Sequence, residues 1–140
     1  MTDLVIRSKI DALEDAMNTR SDVVGASAFE LKHHFTDNGM YAREIILPAG
    51  SIVVGKIKKE EHISVLSAGF VTELTEEGVQ HIKAPYTMVS KSGTKRVVVA
   101  HETTVWTTIH FSEETNIDKM VDDIAVDTRE QYENLLEKMI

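Results

Sequence analysis

Between residues 28 and 111, turn signals interrupt the chain about every ten residues, and this spacing is the strongest constraint on the fold. Asp37-Asn38-Gly39 is one such turn, because Asn and Gly tolerate positive φ. Nine short β-rich segments lie between the turns: FELKHHF, YAREIIL, SIVVGKI, HISVLS, FVTELT, VQHIK, YTMVS, KRVVVA and VWTTIHF. Such a series is typical of an antiparallel sandwich or barrel, so the sequence predicts a mainly β fold.

Both ends of the chain have helical spacing instead. Near the N-terminus, apolar side chains recur every three or four residues at Leu4, Ile6, Ile10, Leu13 and Met17. After Phe111 one apolar face carries Ile117, Met120, Val121 and Ile124, and Asp127-Thr128 can cap a last helix. We expect a single domain with an N-terminal helix over residues 1–20, a barrel over 28–111 and an acidic helical tail over 112–140.

Composition and charge exclude several classes of partner. The chain has 140 residues, a formal net charge of −8 and no cysteine, and residues 112–140 carry nine acidic against three basic side chains. An acidic chain repels phosphate backbones, so we expect no nucleic-acid partner. No apolar run approaches the roughly 18 residues that a spanning helix needs, so no membrane partner is expected. With no secretory signal and no cysteine, the expected location is the cytoplasm.

Alternation along three predicted strands groups polar side chains on single faces, because residues i and i+2 of a strand point the same way. The three sets are His62, Ser64 and Leu66; Arg96, Val98 and Ala100; and Trp106, Thr108 and His110. A small barrel directs one face of each strand inward, so these sets are expected to meet. Polar groups in that position must be hydrogen-bonded, metal-bound or solvated, because their burial is otherwise unfavourable.

One run of motifs resembles a known family. The series is Pro48-Ala49-Gly50, Gly55-Lys56, HISVLSAG from His62 to Gly69, then Gly78, Pro85 and Gly93-Thr94-Lys95-Arg96. It resembles the cupins, which are small jelly-roll barrels, and the resemblance covers roughly residues 40–111. It implies a single antiparallel jelly-roll barrel between the two helical ends. The same stretch looks like small uncharacterised cupin-like proteins of tailed bacteriophages.

The sequence departs from the metal-binding cupin pattern. That pattern has two histidines one residue apart in its first motif, whereas GKIKKEEH keeps only His62. Lys95 or Arg96 stands where the last histidine ligand of the family would lie, and these cations are poor metal ligands. His62 and His110 could supply two ligands, with Glu61 or Glu73 as a carboxylate. We expect no metal and no cofactor.

A metal-free barrel of this kind favours a small anionic, nucleotide-like or sugar-like ligand. The predicted binding residues are His62, Ser64, Tyr86, Arg96, Trp106, Thr108 and His110. The guanidinium of Arg96 suits a carboxylate or phosphate, and Trp106 offers a stacking face. Structural alternatives remain open: Trp106 and His110 can belong to the core, Arg96 can pair with a glutamate on a neighbouring strand, and the lysines at 56, 58 and 59 can form a solvated edge.

The sequence therefore predicts a protein that binds or sequesters a small molecule. The cupin resemblance implies a metal-free epimerase or isomerase as an alternative, with histidine as general base. The phage resemblance implies a virion or assembly component as another, with the host cytoplasm as its location. Whether the protein is an enzyme stays open, and no catalytic residue is assigned. Apolar stripes on the flanking helices predict a homo-oligomer, most simply a dimer.

Overall fold

The computed structural model describes residues 3–18 and 29–138. Three helices and eleven strands follow the chain in the order α1 Asp3–Asn18, β1 Glu30–Phe35, β2 Met40–Leu47, β3 Ile52–Val54, β4 Ile57–Lys58, β5 His62–Ala68, β6 Phe70–Thr75, β7 Gly78–Lys83, β8 Tyr86–Ser90, β9 Val97–Ala100, β10 Thr104–Phe111, α2 Ile117–Ile124, β11 Ala125–Val126 and α3 Arg129–Lys138. Each of the nine predicted segments contains a strand. The predicted boundaries at residues 20 and 28 lie outside the described residues.

Two antiparallel sheets form the body of the protein. One has the strand order β1-β2-β10-β5-β8, and the other has the order β3-β9-β6-β7. Every strand pair is antiparallel, and chain neighbours are often separated within a sheet, as a jelly roll requires. The fold is therefore the predicted antiparallel jelly-roll barrel with an N-terminal helix and a C-terminal helical segment.

The third predicted segment is not one strand. SIVVGKI divides at Gly55-Lys56 into β3 and β4, because β3 pairs with β9 whereas β4 pairs with β11. The backbone N–H of Gly55 still donates to Arg96 O, at 3.0 Å, where the chain leaves the sheet. The pairing of Lys58 with Ala125 joins the C-terminal segment to the barrel, although the sequence predicted only helix there.

Apolar and polar side chains divide the interior of the barrel. The main core fills one half and consists of Leu47, Leu66, Val71, Ile82, Val98, Ala100 and Trp106. At the other half, Met120 and Ile124 of α2 pack with Ala125 on the ring of Tyr41. Helix α1 contributes Ile6 and Ile10, which pack on Val97 outside the barrel. The strands therefore enclose one apolar core and one end that α2 covers.

The helical segments are fixed by polar contacts as well as by packing. Thr128 caps α3: the N–H of Gln131 donates to its hydroxyl, and the side chain of Gln131 accepts from the N–H of Thr128, both at 3.1 Å. Arg7 of α1 and Arg129 of α3 both donate to the carboxylate of Glu76. Among the described residues, no helix is both long and apolar enough to cross a membrane.

Gly69 allows the tight turn from β5 to β6. Its φ is +104°, and a Cβ there would lie 2.3 Å from Thr104 Oγ1 and 2.6 Å from Thr104 Cα. Gly50 has a φ of +88°, but a Cβ added to it would meet nothing within 4 Å, so it is a matched control.

We predict that Gly50→Ala lowers the free energy of unfolding by about 1 kcal/mol, the strain of positive φ alone. Gly69→Ala should cost about 3 kcal/mol or more, because the Thr104 backbone must also move. Urea unfolding followed by circular dichroism measures both values. Equal losses in the two variants would contradict the close approach of Gly69 to the backbone of Thr104.

Candidate functional site

The polar half of the barrel holds a cluster of side chains contributed by six strands and by Arg96, which immediately precedes β9. This polar cluster consists of Arg43, Lys58, His62, Ser64, Glu73, Ser90, Arg96, Thr108 and His110. Strand register accounts for the convergence, since Thr108 lies opposite both Arg43 and Ser64, and His62 lies opposite Ser90. Residues paired across an antiparallel sheet share a face, so these side chains all point into the barrel.

Two stacked histidines lie at the centre of the cluster. The rings of His62 and His110 have centroids 4.5 Å apart, and Tyr41 stacks behind His110 at 6.1 Å. His62 Nδ1 donates to the Glu60 carbonyl at 3.1 Å, so in the neutral ring Nε2 carries the lone pair. That Nε2 is buried and has no hydrogen-bond partner.

Both rings are neutral at pH 7. Burial lowers the pKa of His62 to about 4, and the charges of Lys58 and Arg96 act in the same direction. Burial lowers the pKa of His110 to about 3, assisted by His62 and Lys58. His110 Nε2 also lies 2.8 Å from Thr108 Oγ1. The pair therefore presents one satisfied and one unsatisfied imidazole nitrogen to the interior.

Arg96 connects the cluster to the apolar core. Its Nη2 donates to Ser90 Oγ at 3.1 Å, and its guanidinium carbon lies 5.1 Å from the centre of the Trp106 ring. Its Nε lies 3.1 Å from Glu73 Oε2, but the two atoms are misaligned and make no hydrogen bond. Burial raises the pKa of Glu73, and the charge of Arg96 opposes this shift only in part. The pairing of Arg96 with a glutamate on a neighbouring strand, one of the sequence alternatives, is therefore observed.

Lys58 adds a third cation to the cluster, whereas one of the sequence alternatives placed it in a solvated edge. That alternative does not hold for Lys58, because β4 alternates: Ile57 packs under α1, whereas the half-buried Lys58 lies near Arg43 and Arg96. Its Nζ donates to the Lys56 carbonyl at 3.2 Å. Burial lowers the pKa of Lys58 to about 8, and the charges of Arg43 and Arg96 act in the same direction.

The cluster consequently carries more positive than negative charge. Arg43, Lys58 and Arg96 face Glu73, which is its single carboxylate among residues 3–18 and 29–138. No described carboxylate lies within salt-bridge distance of Lys58. Cations that leave water without a matching anion are costly, so the arrangement favours a bound anion.

The structure brings most of the predicted binding residues together. His62, Ser64, Arg96, Thr108 and His110 belong to the polar cluster, and Ser64 Oγ lies 2.8 Å from Ser90 Oγ. Trp106 belongs to the apolar core, and only its contact with Arg96 connects it to the cluster.

Tyr86 is placed apart from the others. It lies opposite Leu66, at the apolar half of the barrel, and its residue surface is 44% exposed. The strand β8 runs antiparallel to β5, so the hydroxyl-bearing position beside His62 is Ser90 rather than Tyr86. Tyr86 therefore lies at one end of β8, whereas the other end, at Ser90, meets the cluster.

The residues present do not fit a metal ion of the kind that cupin barrels carry. Of the side chains described, no three from His, Asp and Glu gather closely enough to hold one. His62 and His110 lie together, but Glu73 faces Arg96, and Lys58 adds a cation to the same region.

Among the described residues, two of the cavities lie outside the polar cluster. One of about 370 Å³ separates β11 from α3, and one of about 200 Å³ lies beneath α1. Their linings include Lys59 and Asp122 in the first and Arg7 and Lys95 in the second. Lys95 is paired there with Asp11 and Glu14, at 2.9 and 2.7 Å. These charges are balanced locally, in contrast to those inside the barrel.

Comparison with solved structures places the fold among the cupins. KdgF from Halomonas sp. has a TM-score of 0.54 and 17% identity over 71% of this chain and 90% of its own. The cupin domain of Schizosaccharomyces pombe Cnp3 has a TM-score of 0.52 and 14% identity over 64% and 65%. A putative ethanolamine utilization protein Q from Salmonella typhimurium has a TM-score of 0.53 and 14% identity over 64% and 76%.

These likenesses show a cupin-like fold. The sequence matches no protein-family model and no curated protein. The predicted resemblance to cupins is therefore confirmed for the fold, while the narrower resemblance to phage proteins stays a prediction.

We predict an acid-sensitive stability that depends on the stacked histidines. Both rings have a pKa below the ordinary 6.5, so the unfolded chain binds protons first as the pH falls. The folded state is not penalised above about pH 6.5, and it loses stability as the pH falls to about 4 for His62 and about 3 for His110, by up to about 1.4 kcal/mol per pH unit for each ring.

The measurement is urea unfolding at a series of pH values, with His62→Gln/His110→Gln compared with the wild type. The double variant should lose less stability between pH 6.5 and 4, since its side chains do not titrate. The exposed His34→Gln variant serves as the control and should keep the wild-type slope. Parallel curves for wild type and double variant would show that the rings are not buried as described.

Proposed function

We propose that this protein binds a small hydroxylated anion, such as a sugar acid or a comparable hydroxy acid, in the polar half of its barrel and without a metal. The observation that carries the proposal is the excess of enclosed positive charge next to an unpartnered histidine acceptor. This is a narrower form of the anionic, sugar-like ligand expected from the sequence.

The positive charge accounts for the anionic part of the ligand. Arg43 and Arg96 offer planar donor groups that match a carboxylate or a phosphate, and Lys58 offers a point charge. Arg96 already contacts Glu73 through Nε and Ser90 through Nη2. A ligand would therefore bind to the remaining N–H groups of the guanidinium. A bound anion would compensate charges that one carboxylate does not balance.

The unpartnered acceptor accounts for the hydroxyl. A buried acceptor left without a donor costs about 1–3 kcal/mol, and native interiors rarely retain one. Thr108 and the Nε2 atom of His110 form a hydrogen bond with each other. Of the Nε2 atoms of the two stacked histidines, that of His62 is therefore the one without a partner. A ligand hydroxyl could donate to it, and an anion without a donor could not.

The first test uses L-lactate and propionate, which differ by a single hydroxyl. We predict that lactate binds about tenfold more tightly, since it satisfies the His62 acceptor. His62→Phe keeps a ring that can stack on His110 but removes the acceptor, so it should bind both acids equally. Chemical-shift titration by NMR gives the affinities, and His34→Gln is the control. Equal affinities in the wild type would contradict the role of His62.

The second test changes the charge balance. Glu73→Gln leaves the three cations without their carboxylate, so the variant should lose about 3 kcal/mol of stability in a buffer free of multivalent anions. Inorganic phosphate should restore this loss and should stabilise the variant more than the wild type, because the competing carboxylate is absent. Thermal unfolding measures the effect at matched ionic strength.

The control for that experiment is Glu77→Gln, which removes an exposed partner of Lys91. It should behave as the wild type in both buffers. If phosphate and chloride at equal ionic strength affect Glu73→Gln alike, the barrel has no anion site.

A homodimer remains part of the proposal. Val89, Ile63 and Ile109 form a continuous apolar row across the outer face of the five-stranded sheet, because each lies opposite the next in register. Val89 is 63% exposed, and the nearby Phe111 is 78% exposed. Such a row is larger than scattered surface apolar residues, and it supports self-association.

A further inference from the structure

The backbone of Lys58 is held on both sides, although β4 is only two residues long. Its N–H donates to Thr94 O at 3.3 Å, its carbonyl accepts from Gly93 N at 2.8 Å, and it lies opposite Ala125 of β11. The α-carbon of Lys58 is therefore fixed at the rim of the polar cluster, and its side chain starts from a defined position.

The amino group of Lys58 has an unusual set of neighbours. Charged and titratable groups come close from several elements: Arg43 of β2, Lys56 of the preceding loop, His62 of β5, Arg96 before β9 and His110 of β10. Its one described hydrogen bond is to the Lys56 carbonyl. Surface lysines usually have water or a carboxylate close to the amine, whereas the charged groups near this amine are other cations.

We propose that Lys58 forms a Schiff base with a small oxo acid whose carboxylate is held by Arg43 and Arg96. The inference rests on the proposed anion site and specifies its ligand as one that also carries a ketone or aldehyde. It assigns a covalent step to a barrel whose residues do not fit a metal.

The step is balanced without an oxidant or reductant. The neutral amine of Lys58 adds to the carbonyl carbon, the nitrogen loses a proton, and the carbonyl oxygen gains one, which gives a carbinolamine. The carbinolamine hydroxyl then leaves with a second proton as water, and the C=N bond forms. The net change is amine plus carbonyl to imine plus one water.

The surroundings favour both parts of this step. An amine must be neutral to attack, and burial with nearby cations lowers the pKa of Lys58 to about 8, so roughly a tenth of it is neutral at pH 7. The carbinolamine hydroxyl could donate a hydrogen bond to His62 Nε2, which has no other donor. Binding the carboxylate between guanidinium groups would place the carbonyl next to the amine.

Borohydride trapping with pyruvate tests the inference. The wild-type protein incubated with pyruvate and sodium borohydride at pH 7.5 should gain one reduced adduct in its intact mass, and peptide mapping should place it on Lys58. Labelling of Lys58 should be about tenfold or more faster than that of any other lysine, because more of its amine is neutral. The rate should rise with pH and level off above about 8.

Lys58→Arg and Lys59→Arg form the matched pair of variants. Lys58→Arg keeps a cation for the anion but cannot form an imine, so it should lose trapping and keep its stabilisation by phosphate. Lys59 donates to the Asp122 carbonyl outside the barrel, and Lys59→Arg should trap as the wild type does. Mapping of the wild-type adduct decides the matter by itself if Lys58→Arg does not fold.

The outcomes separate this inference from the proposed function. Phosphate stabilisation without an adduct on Lys58, or labelling spread evenly over the lysines, overturns the Schiff base and leaves the anion site intact. Absence of both phosphate stabilisation and the adduct overturns both. An adduct on Lys58 that excess phosphate suppresses supports both.

Discussion

The enclosure of three cationic side chains beside one carboxylate is the interaction on which the polar half of the barrel is built. Arg43, Lys58 and Arg96 would repel one another in a dry interior, and Glu73 balances only one of them. Two neutral, stacked imidazoles lie near these cations and add no charge to the cluster. Burial and the neighbouring cations make protonation of either histidine unfavourable, and the pKa values of both histidines are therefore lowered.

Packing in the apolar half of the barrel and against α2 maintains this arrangement of charges. The apolar half of the barrel fixes the strands through residues such as Leu66 and Trp106, and the same strands then carry polar side chains toward the opposite end. Met120 and Ile124 of α2 cover Tyr41 there, which limits the water that could screen the charges. The C-terminal segment therefore contributes to the electrostatics of the site as well as to the fold.

The sequence predicts the fold well because its signals are local. Turns at residues such as Asn38 and Gly50, and alternation along HISVLS and VWTTIH, depend only on chain neighbours, and eight of the nine predicted segments each match a single strand. The convergence of His62, Thr108 and His110 also follows from alternation alone, once their strands are assigned to one barrel.

The remaining features depend on contacts between distant parts of the chain. The pairing of β4 with β11 joins residues almost seventy positions apart, which no local pattern indicates, and the position of Lys58 is unpredictable for this reason. The sequence predicts Tyr86 as a binding residue, but only the register of β8 against β5 shows that it lies at the apolar half. The sequence names Glu73 as a candidate carboxylate beside His62 and His110, and alternation agrees with this, since Val71 and Glu73 share a face of β6.

Anomalous X-ray diffraction from crystals of this protein soaked in sodium bromide would show whether the polar half encloses uncompensated positive charge. Bromide is a small anion that reports such charge without needing a hydroxyl or a carbonyl. We predict an anomalous peak inside the barrel among Arg43, Lys58 and Arg96. Bromide peaks confined to the outer surface, with none in the polar half, would contradict the enclosure of unbalanced cations.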